Sequence, residues 1–275
     1  MSDNKMPVAL SIAGSDSGGG AGIQADIRVF SSLRVFPTTV ITALTAQNPN
    51  EVRAVVGLSG EFVVSQLQTV LDAFDVRSIK TGMLYSAEII EQLCGVFSSA
   101  DFRKRDIPIV VDPVMISTSG AKLVSVEAIE IYKKQLLPLA TVITPNIDEA
   151  EVLLDIQDIK ITKDNQTELA QYLQQKYNCA VLLKGGHLPS SPTDILVERN
   201  EKPFIKRHER VKNICTHGTG CSLSAAITAL LAKGMSLQEA VEEGLHFLQE
   251  TLKNPHLLQV LGEPLYVLGL ENPKK

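Results

Sequence analysis

Cysteines are few in this sequence, and no two of them form a C-x-x-C pair. The four are Cys94, Cys179, Cys215 and Cys221. Their spacing is not that of a disulfide framework, which favours reduced thiols in a cytoplasmic protein. Long apolar runs are also absent. The longest, such as residues 107–111, fall far short of the ~20 residues that cross a bilayer, and residues 8–12 are too short for the core of a signal peptide.

The sequence also lacks any stretch dense in lysine and arginine. Its 26 basic and 31 acidic residues give a formal net charge of −5, so binding to the phosphate backbone of a nucleic acid is not expected. Glycine (18 residues) and proline (13 residues) occur at ordinary frequencies, which excludes collagen-like and low-complexity chains. The 44% of hydrophobic residues suffice for a sizeable core. We therefore expect a globular cytoplasmic protein that binds neither membranes nor nucleic acids.

Short β-branched runs alternate with amphipathic segments along the chain. Predicted strands cover residues 8–12, 39–42, 52–56, 78–81, 109–111, 141–144 and 180–183. Predicted helices cover residues 23–33, 62–74, 87–97, 125–136, 147–154, 168–176, 222–232 and 237–252. This alternation predicts an α/β fold whose mainly parallel central sheet carries helices on both faces. Residues 193–197 and 203–207 predict a small antiparallel hairpin at one edge.

No linker, charge block or internal repeat divides the chain, so we expect a single domain over residues 1–275. Its core is predicted at about residues 8–252, followed by a loosely packed tail over residues 254–275. Five polar or glycine-rich segments fall where predicted strands end or a helix begins. They are residues 14–22, 112–113, 144–149, 184–187 and 216–221. Because α/β sheets bind ligands at the carboxyl ends of their strands, these segments predict one shared site.

Two of these segments are rich in glycine. Residues 14–22 have neither the G-x-x-x-x-G-K-[ST] spacing of a P-loop nor the G-x-G-x-x-G of a dinucleotide fold, and they suit a close approach to a ligand and a tight turn equally well. Residues 217–222 lead into an apolar helix, where Gly218 and Gly220 would let an anion approach the N–H groups of the helix start. The partial positive charge of the same helix start is expected to lower the pKa of the Cys221 thiol. The alternative is a small buried thiol at an ordinary helix start.

Charged and capping residues occupy the remaining segments. Asn146 is a good N-cap, and Glu149 three residues later completes the spacing of a capping box. Glu149 could instead hold a magnesium ion through water, and Asp112 is the other candidate, since Mg²⁺ uses few carboxylates and keeps its waters. Lys184, followed by two glycines, can reach phosphate oxygens as a point charge. The alternative is an ordinary solvated strand end.

Seven motifs in this order resemble those of a known family. They are SIAGSDSGGGAGIQAD (11–26), ITALTAQN (41–48), KTGML (80–84), VDPVM (111–115), TPNIDEA (144–150), LKGGH (183–187) and THGTGCS (216–222). In these motifs the chain is similar to the bacterial hydroxymethylpyrimidine and phosphomethylpyrimidine kinases, which make the pyrimidine half of thiamine. The resemblance runs from about residue 8 to 252. It implies the three-layer sandwich of the ribokinase-like superfamily.

The resemblance also implies roles for particular residues. The positions that match the pyrimidine pocket are Ala21, Asp26, Gln47, Met83 and Val114. Gln47 is implied to read the aminopyrimidine, for which an amide offers a donor and an acceptor together. The positions on the nucleotide side are Asn146, Lys184, Gly185 and Thr219. Asp112 and Glu149 match the magnesium side, and the catalytic turn contains Gly218, Gly220 and Cys221. Cys221 stands where sugar kinases of the superfamily carry an aspartate base.

The implied reaction is phosphorylation of 4-amino-5-hydroxymethyl-2-methylpyrimidine by ATP and Mg²⁺, followed by conversion of the monophosphate to the diphosphate. Two alternatives stay open. One is a pyridoxal or pyridoxine kinase, because those substrates are hydroxymethylated heteroaromatic rings of similar size. The other is a non-catalytic pyrimidine-binding protein. Residues 116–122 are a candidate flap over the substrate, and a homodimer is one option for an oligomeric state that the sequence leaves undetermined.

Overall fold

The computed structural model describes residues 5–115, 125–156, 160–186, 192–211, 217–260 and 265–270. The strands in these ranges are β1 (Val8–Asp16), β2 (Phe36–Gln47), β3 (Val52–Gly57), β4 (Val76–Thr81), β5 (Ile109–Val111), β6 (Val142–Ile143), β7 (Ala180–Leu183), β8 (Thr193–Val197), β9 (Phe204–Arg207), β10 (His256–Leu258) and β11 (Leu265–Val267). The helices are α1 (Gly22–Ser32), α2 (Gly60–Ala73), α3 (Ala87–Ser98), α4 (Ala100–Arg103), α5 (Val126–Ile131), α6 (Ile147–Leu154), α7 (Gln166–Tyr177), α8 (Thr219–Ala232) and α9 (Leu237–Lys253).

Strands β1 to β9 form one sheet in the order β3-β2-β1-β4-β5-β6-β7-β8-β9. The pairs from β2 to β7 are parallel, whereas β2–β3, β7–β8 and β8–β9 are antiparallel. The predicted hairpin is therefore confirmed as β8–β9 at one edge. The strand order reverses beside β1, since β2 lies on one side of it and β4 on the other. A parallel sheet opens a crevice at the carboxyl ends of its strands at such a point.

Helices cover both faces of the sheet, as predicted. Side chains alternate along β1, so that Leu10 and Ile12 pack in a core that also contains Leu67 of α2. Ala9 points to the opposite face, where it packs in a second core with Ala225 of α8. The protein is thus a three-layer sandwich with the sheet in the middle. Within the described ranges, no helix has both the length and the apolar character needed to cross a membrane.

Local capping signals set the starts of several helices. Ser59 accepts a hydrogen bond from the Phe62 N–H at the start of α2, and Ser236 forms a capping box with Glu239 at the start of α9. Such caps satisfy N–H groups that have no partner inside the helix. The observed bounds of α6, residues 147–154, are those predicted from its sequence.

The predicted helix over residues 125–136 is interrupted. The α-helical part ends at Ile131, a π-helical turn follows over Tyr132–Leu136, and a 3₁₀ turn over Leu137–Leu139 completes the segment. Leu136 and Leu137, at the junction of these two turns, are both fully buried. Strand β2 is longer than the predicted 39–42, because β1 pairs with it from Phe36 to Thr45.

The prediction of a loosely packed tail is wrong for residues 268–270, which are buried, whereas most of residues 254–260 are exposed, as a loosely packed segment would be. Strand β10 pairs antiparallel with β11. Beyond β11, Leu268 and Leu270 are buried in the same core as Ala9, and the Ser32 hydroxyl at the end of α1 donates a hydrogen bond to the Leu270 carbonyl. The segment after α9 therefore contributes to the hydrophobic core, although its sequence has no strong periodicity.

Candidate active site

Four segments predicted to share a site meet at the carboxyl ends of β5, β6 and β7 and at the start of α8. Lys184 Nζ lies 3.1 Å from Asp112 Oδ1. Thr144 donates to the same oxygen at 3.1 Å, and Ser224 of α8 donates to Asp112 Oδ2 at 3.1 Å. A Cβ atom on Gly220 would lie 3.3 Å from Lys184 Nζ. The turn, the carboxylate and the lysine are therefore neighbours in space.

The charges of this cluster stabilise one another. Burial opposes ionisation of Asp112, but the positive charges of Lys184 and Lys80 and the hydrogen bonds to its oxygens together lower its pKa. Burial likewise opposes the charge on Lys184. The negative charges of Asp112 and Glu149 outweigh the effect of burial and raise the pKa of the lysine. At neutral pH the cluster contains a buried ammonium group and a buried carboxylate. Such an ammonium can bind a phosphate oxygen.

The backbone holds Lys184 in register with the neighbouring loop. Its N–H donates to the Pro145 carbonyl at 2.9 Å, and residues 146 and 184 form a parallel bridge. Gly185 is fixed by its N–H, which donates to Asp194 Oδ1 at 2.8 Å. A Cβ there would lie 2.1 Å from the Thr193 carbonyl oxygen, so only glycine fits. The alternative of a solvated lysine at a strand end is wrong, because the Lys184 side chain is only 14% exposed.

The start of α8 depends on Gly218. This residue has φ +82°, and a Cβ on it would lie 1.9 Å from the Gly20 carbonyl oxygen. The hydrogen bonding of α8 begins with the Ser222 N–H, which donates to the Gly218 carbonyl at 2.8 Å. Thr219, Gly220 and Cys221 form the first turn, where backbone N–H groups give a helix its affinity for anions. The contact with Gly20 fixes this turn against the first glycine loop.

The prediction that the helix start lowers the pKa of Cys221 is wrong. Burial is the largest influence on this thiol and raises its pKa to about 11. The charge of Lys80 and a hydrogen bond from the Gly22 N–H act in the opposite direction but are weaker. The thiol is therefore neutral near pH 7. Cys221 is half-buried, so the alternative of a small buried thiol at a helix start is met only in part.

Asn146 and Glu149 form the capping box that their spacing predicted. The Glu149 N–H donates to Asn146 Oδ1 at 2.9 Å, and the Asn146 N–H donates to Glu149 Oε2 at 2.8 Å. Glu149 is only 7% exposed, and burial raises its pKa to about 7. Its carboxyl group also interacts electrostatically with Asp112 and Lys184. The capping role is observed, and a metal role is compatible with it.

These two carboxylates suit magnesium rather than a metal that needs a protein cage. In the part of the chain that the structure describes, no group of three or more His, Cys, Asp or Glu side chains could hold a metal ion. Magnesium does not require one, because it keeps several waters and takes one or two carboxylates together with substrate phosphates. Asp112 and Glu149 provide such a donor set beside Lys184.

The first glycine loop is organised by a residue that the sequence analysis did not single out. The carboxylate of Asp16 accepts hydrogen bonds from the N–H groups of Gly18, Gly20 and Ala21, at 2.8, 3.0 and 2.8 Å. Its Oδ2 also lies 3.2 Å from His217 Nε2. These N–H groups therefore bind the protein's own carboxylate, and of the two interpretations of this loop the structure favours the tight turn.

The residues matched to a pyrimidine pocket fall into two groups. Ala21, Gln47, Met83 and Val114 are half-buried, and Gln47 Nε2 lies 3.5 Å from His217 Nε2. Asp26, in contrast, is fully buried. Both of its oxygens bind Lys80 Nζ, at 2.7 and 2.8 Å, and Ser11 donates to one of them at 2.5 Å. The Asp26 carboxylate is therefore committed to a buried ion pair and does not line a cavity.

Sequence reasoning missed several polar residues of this site. They are Asp16, Lys80, Thr144, His217 and Ser224. Four of them, all but Ser224, lie inside the seven motifs. Their partners are distant in sequence, which is why spacing alone did not identify them. His187, Thr216 and the candidate flap over residues 116–122 lie outside the described residues.

The fold and this cluster define the class of protein. The protein is a three-layer α/β sandwich with a glycine turn at a helix start and with a buried lysine and a carboxylate at the strand ends. This combination of fold and site is that of a ribokinase-like kinase. The sequence profile described as phosphomethylpyrimidine kinase matches residues 16–263. The chain therefore belongs to the phosphomethylpyrimidine kinase family.

Characterised relatives agree with this membership. The chain is 40% identical to the hydroxymethylpyrimidine/phosphomethylpyrimidine kinase of Bacillus subtilis, over 90% of this chain and 89% of that protein. It is 44% identical to the thiamine biosynthetic bifunctional enzyme of Arabidopsis thaliana, over 90% of this chain. It spans only 47% of that longer enzyme, so the match concerns one part of it.

Solved structures give the same fold. The phosphomethylpyrimidine kinase of Clostridium difficile superposes with a TM-score of 0.75 at 40% identity, covering 90% of this chain and 99% of that one. The pyridoxal kinase of Staphylococcus aureus in complex with AMP-PCP and pyridoxal has a TM-score of 0.83 at 28% identity, covering 98% of this chain and 95% of that one. The two specificities thus share one fold, and the choice between them depends on the site.

Proposed function

We infer that this protein is an ATP-dependent kinase that phosphorylates 4-amino-5-hydroxymethyl-2-methylpyrimidine to the monophosphate and then to the diphosphate. The observation that carries this inference is the cluster of Asp112, Lys184 and the Gly218–Gly220 turn at the strand ends. Phosphoryl transfer proceeds through a loose transition state, so that positioning and charge neutralisation supply most of the catalysis. The cluster contains groups suited to both tasks. Membership of a family of pyrimidine kinases supports the choice of substrate.

The residues of the cluster would divide the work as follows. Lys184 would bind phosphate oxygens of the nucleotide, while Asn146, Thr219 and Gly185 border the same place. The backbone N–H groups of the α8 start would stabilise charge on the transferring phosphoryl group. Asp112 and Glu149 would hold a magnesium ion, which neutralises charge on the phosphates when it is bound. Each group is fixed by hydrogen bonds within the protein, so little reorganisation is needed.

Cys221 fits a positioning role better than a general base. A base must be deprotonated before it can accept a proton, and burial raises the pKa of this thiol to about 11. In the second phosphorylation the nucleophile is a phosphate monoester, whose second pKa of about 6 leaves it ionised at neutral pH. No base is required there. In the first step the alcohol oxygen would bond to the γ-phosphorus as the bond to ADP breaks, and the hydroxyl proton would pass to an oxygen of the transferred phosphoryl group, as a loose transition state allows. One site can therefore serve both steps, with Cys221 packing against the reacting groups.

Substrate recognition is assigned to four half-buried residues, three of which lie in or beside the first glycine loop. Gln47 would pair with the aminopyrimidine through its amide, which offers one acceptor and two donors. Ala21, Met83 and Val114 would contact the ring and its methyl group. Met83 already packs on the loop, since a Cβ on Gly14 would lie 2.4 Å from Met83 Cε. Asp26 would act from beneath the pocket through its ion pair with Lys80 rather than by contact.

Pyridoxal kinase activity is the second candidate. The observation that favours it is the TM-score of 0.83 with the pyridoxal kinase of Staphylococcus aureus. The pyrimidine assignment is better supported, because identity is higher to the pyrimidine kinases and extends over about 90% of both chains for the Bacillus subtilis protein. A pyrimidine-binding protein without catalysis is disfavoured, since Lys184, Asp112 and the Gly218–Gly220 turn are all present and assembled.

Product analysis tests the function directly. Purified protein is incubated with Mg-ATP and, separately, with the hydroxymethylpyrimidine, pyridoxal or pyridoxine, and the products are resolved by mass spectrometry. We expect a monophosphate and a diphosphate from the pyrimidine. Neither product should form after the divalent metal has been chelated. Formation of pyridoxal phosphate with no pyrimidine phosphate would overturn the assignment.

Cytoplasmic location and a homodimer stay predictions, which fractionation and light scattering can check.

A further inference from the structure

Three side chains connect the first glycine loop, the α8 turn and the end of β2. His217 Nε2 lies 3.2 Å from Asp16 Oδ2 and 3.5 Å from Gln47 Nε2. The imidazole ring packs on the loop backbone, since a Cβ on Gly20 would lie 2.5 Å from His217 Cδ2. A single ring nitrogen thus faces both a carboxylate and the amide to which pyrimidine recognition is assigned.

The two contacts make opposite demands on that nitrogen. A neutral imidazole nitrogen either carries a hydrogen and donates it or carries a lone pair and accepts, but it does not do both. Asp16 is 4% exposed and accepts three backbone N–H groups, which is the environment of an ionised carboxylate that can only accept. His217 Nε2 must therefore carry a hydrogen. It cannot then accept from the amide nitrogen of Gln47.

This conflict is removed if the amide of Gln47 is turned. Oxygen and nitrogen of a glutamine amide are assigned from hydrogen bonding, and a rotation of 180° exchanges them. In the turned amide, Oε1 shares the Nε2–H of His217 with Asp16 Oδ2 in a bifurcated hydrogen bond, and the NH₂ group remains for the substrate. The backbone of Gln47 is already fixed, because its N–H and carbonyl both bond the Ser17 hydroxyl, at 2.8 and 2.7 Å.

We propose that His217 is a positioning residue for substrate specificity, which Asp16 holds in the Nε2–H form and which in turn fixes the side-chain amide of Gln47. The proposal rests on the proposed function, in which Gln47 reads the pyrimidine. Its effect is preorganisation, because a glutamine that is already oriented loses less rotamer freedom when the ring binds. It predicts an effect on substrate binding rather than on the phosphoryl-transfer step.

His217→Phe tests this by keeping a ring of similar size while removing the donor. We expect kcat/KM for the pyrimidine to fall about 2- to 10-fold, the usual consequence of having to immobilise one flexible side chain. The fall should appear in KM, with kcat at saturation and KM for ATP unchanged. His217→Gln restores a donor near the Nε2 position and should recover most of the loss. His246→Phe, at an exposed histidine of α9, is the matched control and should leave all constants unchanged.

The decisive comparison repeats His217→Phe in a Gln47→Leu background. If His217 acts through Gln47, its substitution has no further effect there, since a double-mutant cycle isolates the coupling between two residues. Equal losses in both backgrounds, or a loss in kcat for pyrimidine and pyridoxal alike, would overturn the proposal. Nitrogen-15 NMR of the histidines adds a direct readout, in which an Nδ1–H tautomer for His217 would also overturn it.

These outcomes are distinct from failure of the proposed function. That function fails if the wild-type protein does not phosphorylate the pyrimidine, or if Gln47→Leu alone leaves the pyrimidine kinetics unchanged. Only the positioning role is refuted if Gln47→Leu lowers kcat/KM for the pyrimidine as expected and His217→Phe causes a further, independent loss in that background. Thermal unfolding of each variant checks that the loop retains its structure, and His217→Gln keeps the test valid if His217→Phe unfolds.

Discussion

Replacing Gly220 by alanine adds a single methyl group between the two central charges of the site. The new Cβ would lie 3.3 Å from Lys184 Nζ and 3.9 Å from Asp112 Oδ2. Gly220 is not among the described glycines with positive φ, so alanine fits its backbone conformation. Gly220→Ala therefore perturbs the site chemically without straining the helix, which separates activity from stability.

Activity should fall while stability changes little. Alanine is more favourable than glycine inside a helix by about 0.5–1 kcal/mol, but Gly220 lies in the first turn of α8 and its new methyl group meets Lys184 at 3.3 Å. The contact offsets the gain, so Tm should stay within roughly 2 °C of the wild-type value. A contact of 3.3 Å is tighter than ordinary packing and forces the Lys184 ammonium to move by a few tenths of an ångström. Complete loss of one charge-stabilising group costs about 10²–10³ in kcat. A displaced lysine retains part of its effect, so we expect a fall of about 10- to 100-fold.

The assay measures ADP release from each half-reaction, starting from the alcohol and from the monophosphate, alongside thermal unfolding. Both half-reactions should fall together, because they use the same phosphate-binding groups. Gly95→Ala is the matched control, since Gly95 lies in the middle of α3 with no atom within 4 Å of its Cβ position. It should raise Tm by roughly 1–4 °C and leave activity unchanged. Wild-type activity in Gly220→Ala would refute the placement of phosphoryl transfer beside Lys184.

Three further substitutions test single residues. Cys221→Ala should slow the two half-reactions equally and by less than the factor of about 10²–10⁴ that lost general acid–base catalysis costs, because the pKa of the thiol is raised to about 11. Gln47→Leu should lower kcat/KM for the pyrimidine about 5- to 150-fold, equivalent to the roughly 1–3 kcal/mol of an unpaired buried polar group, while KM for ATP stays unchanged. Glu149→Gln keeps an acceptor for the Asn146 N–H but removes the charge, so the magnesium concentration needed for half-maximal activity should rise. Because burial raises the pKa of Glu149 to about 7, wild-type stability should decline as pH rises from about 4.5 to about 7, and Glu149→Gln should lack that part of the decline in urea unfolding.

Each of these has a result that would contradict it. A large loss confined to the first half-reaction of Cys221→Ala would restore the thiol as a base. Unchanged pyrimidine preference in Gln47→Leu would remove that residue from recognition. For Glu149→Gln, an unchanged magnesium requirement would leave only the capping role. A stability difference from wild type that does not vary with pH would show that the carboxyl group titrates normally in the folded protein.

Local signals in the sequence were reliable where neighbours in the chain are neighbours in space. Helix α6 begins where predicted because Asn146 and Glu149, three residues apart, satisfy each other's N–H groups. The alternation of strands and helices predicted the layered fold, since each apolar face must be buried against another element. The polar segments at strand ends predicted where Asp112 and Lys184 would meet. These inferences depend on periodicity and chain direction alone.

Other properties depend on contacts between residues distant in sequence. Asp16 and His217 are 201 positions apart, and Asp26 and Lys80 are 54 apart, so no spacing rule relates them. In the described part of the tail after α9, Leu268 and Leu270 are buried against elements formed much earlier in the chain. Cys221 shows the physical reason most clearly. Its place at a helix start, evident in the sequence, favours the thiolate, but the burial that raises its pKa to about 11 exists only after the chain has folded around it.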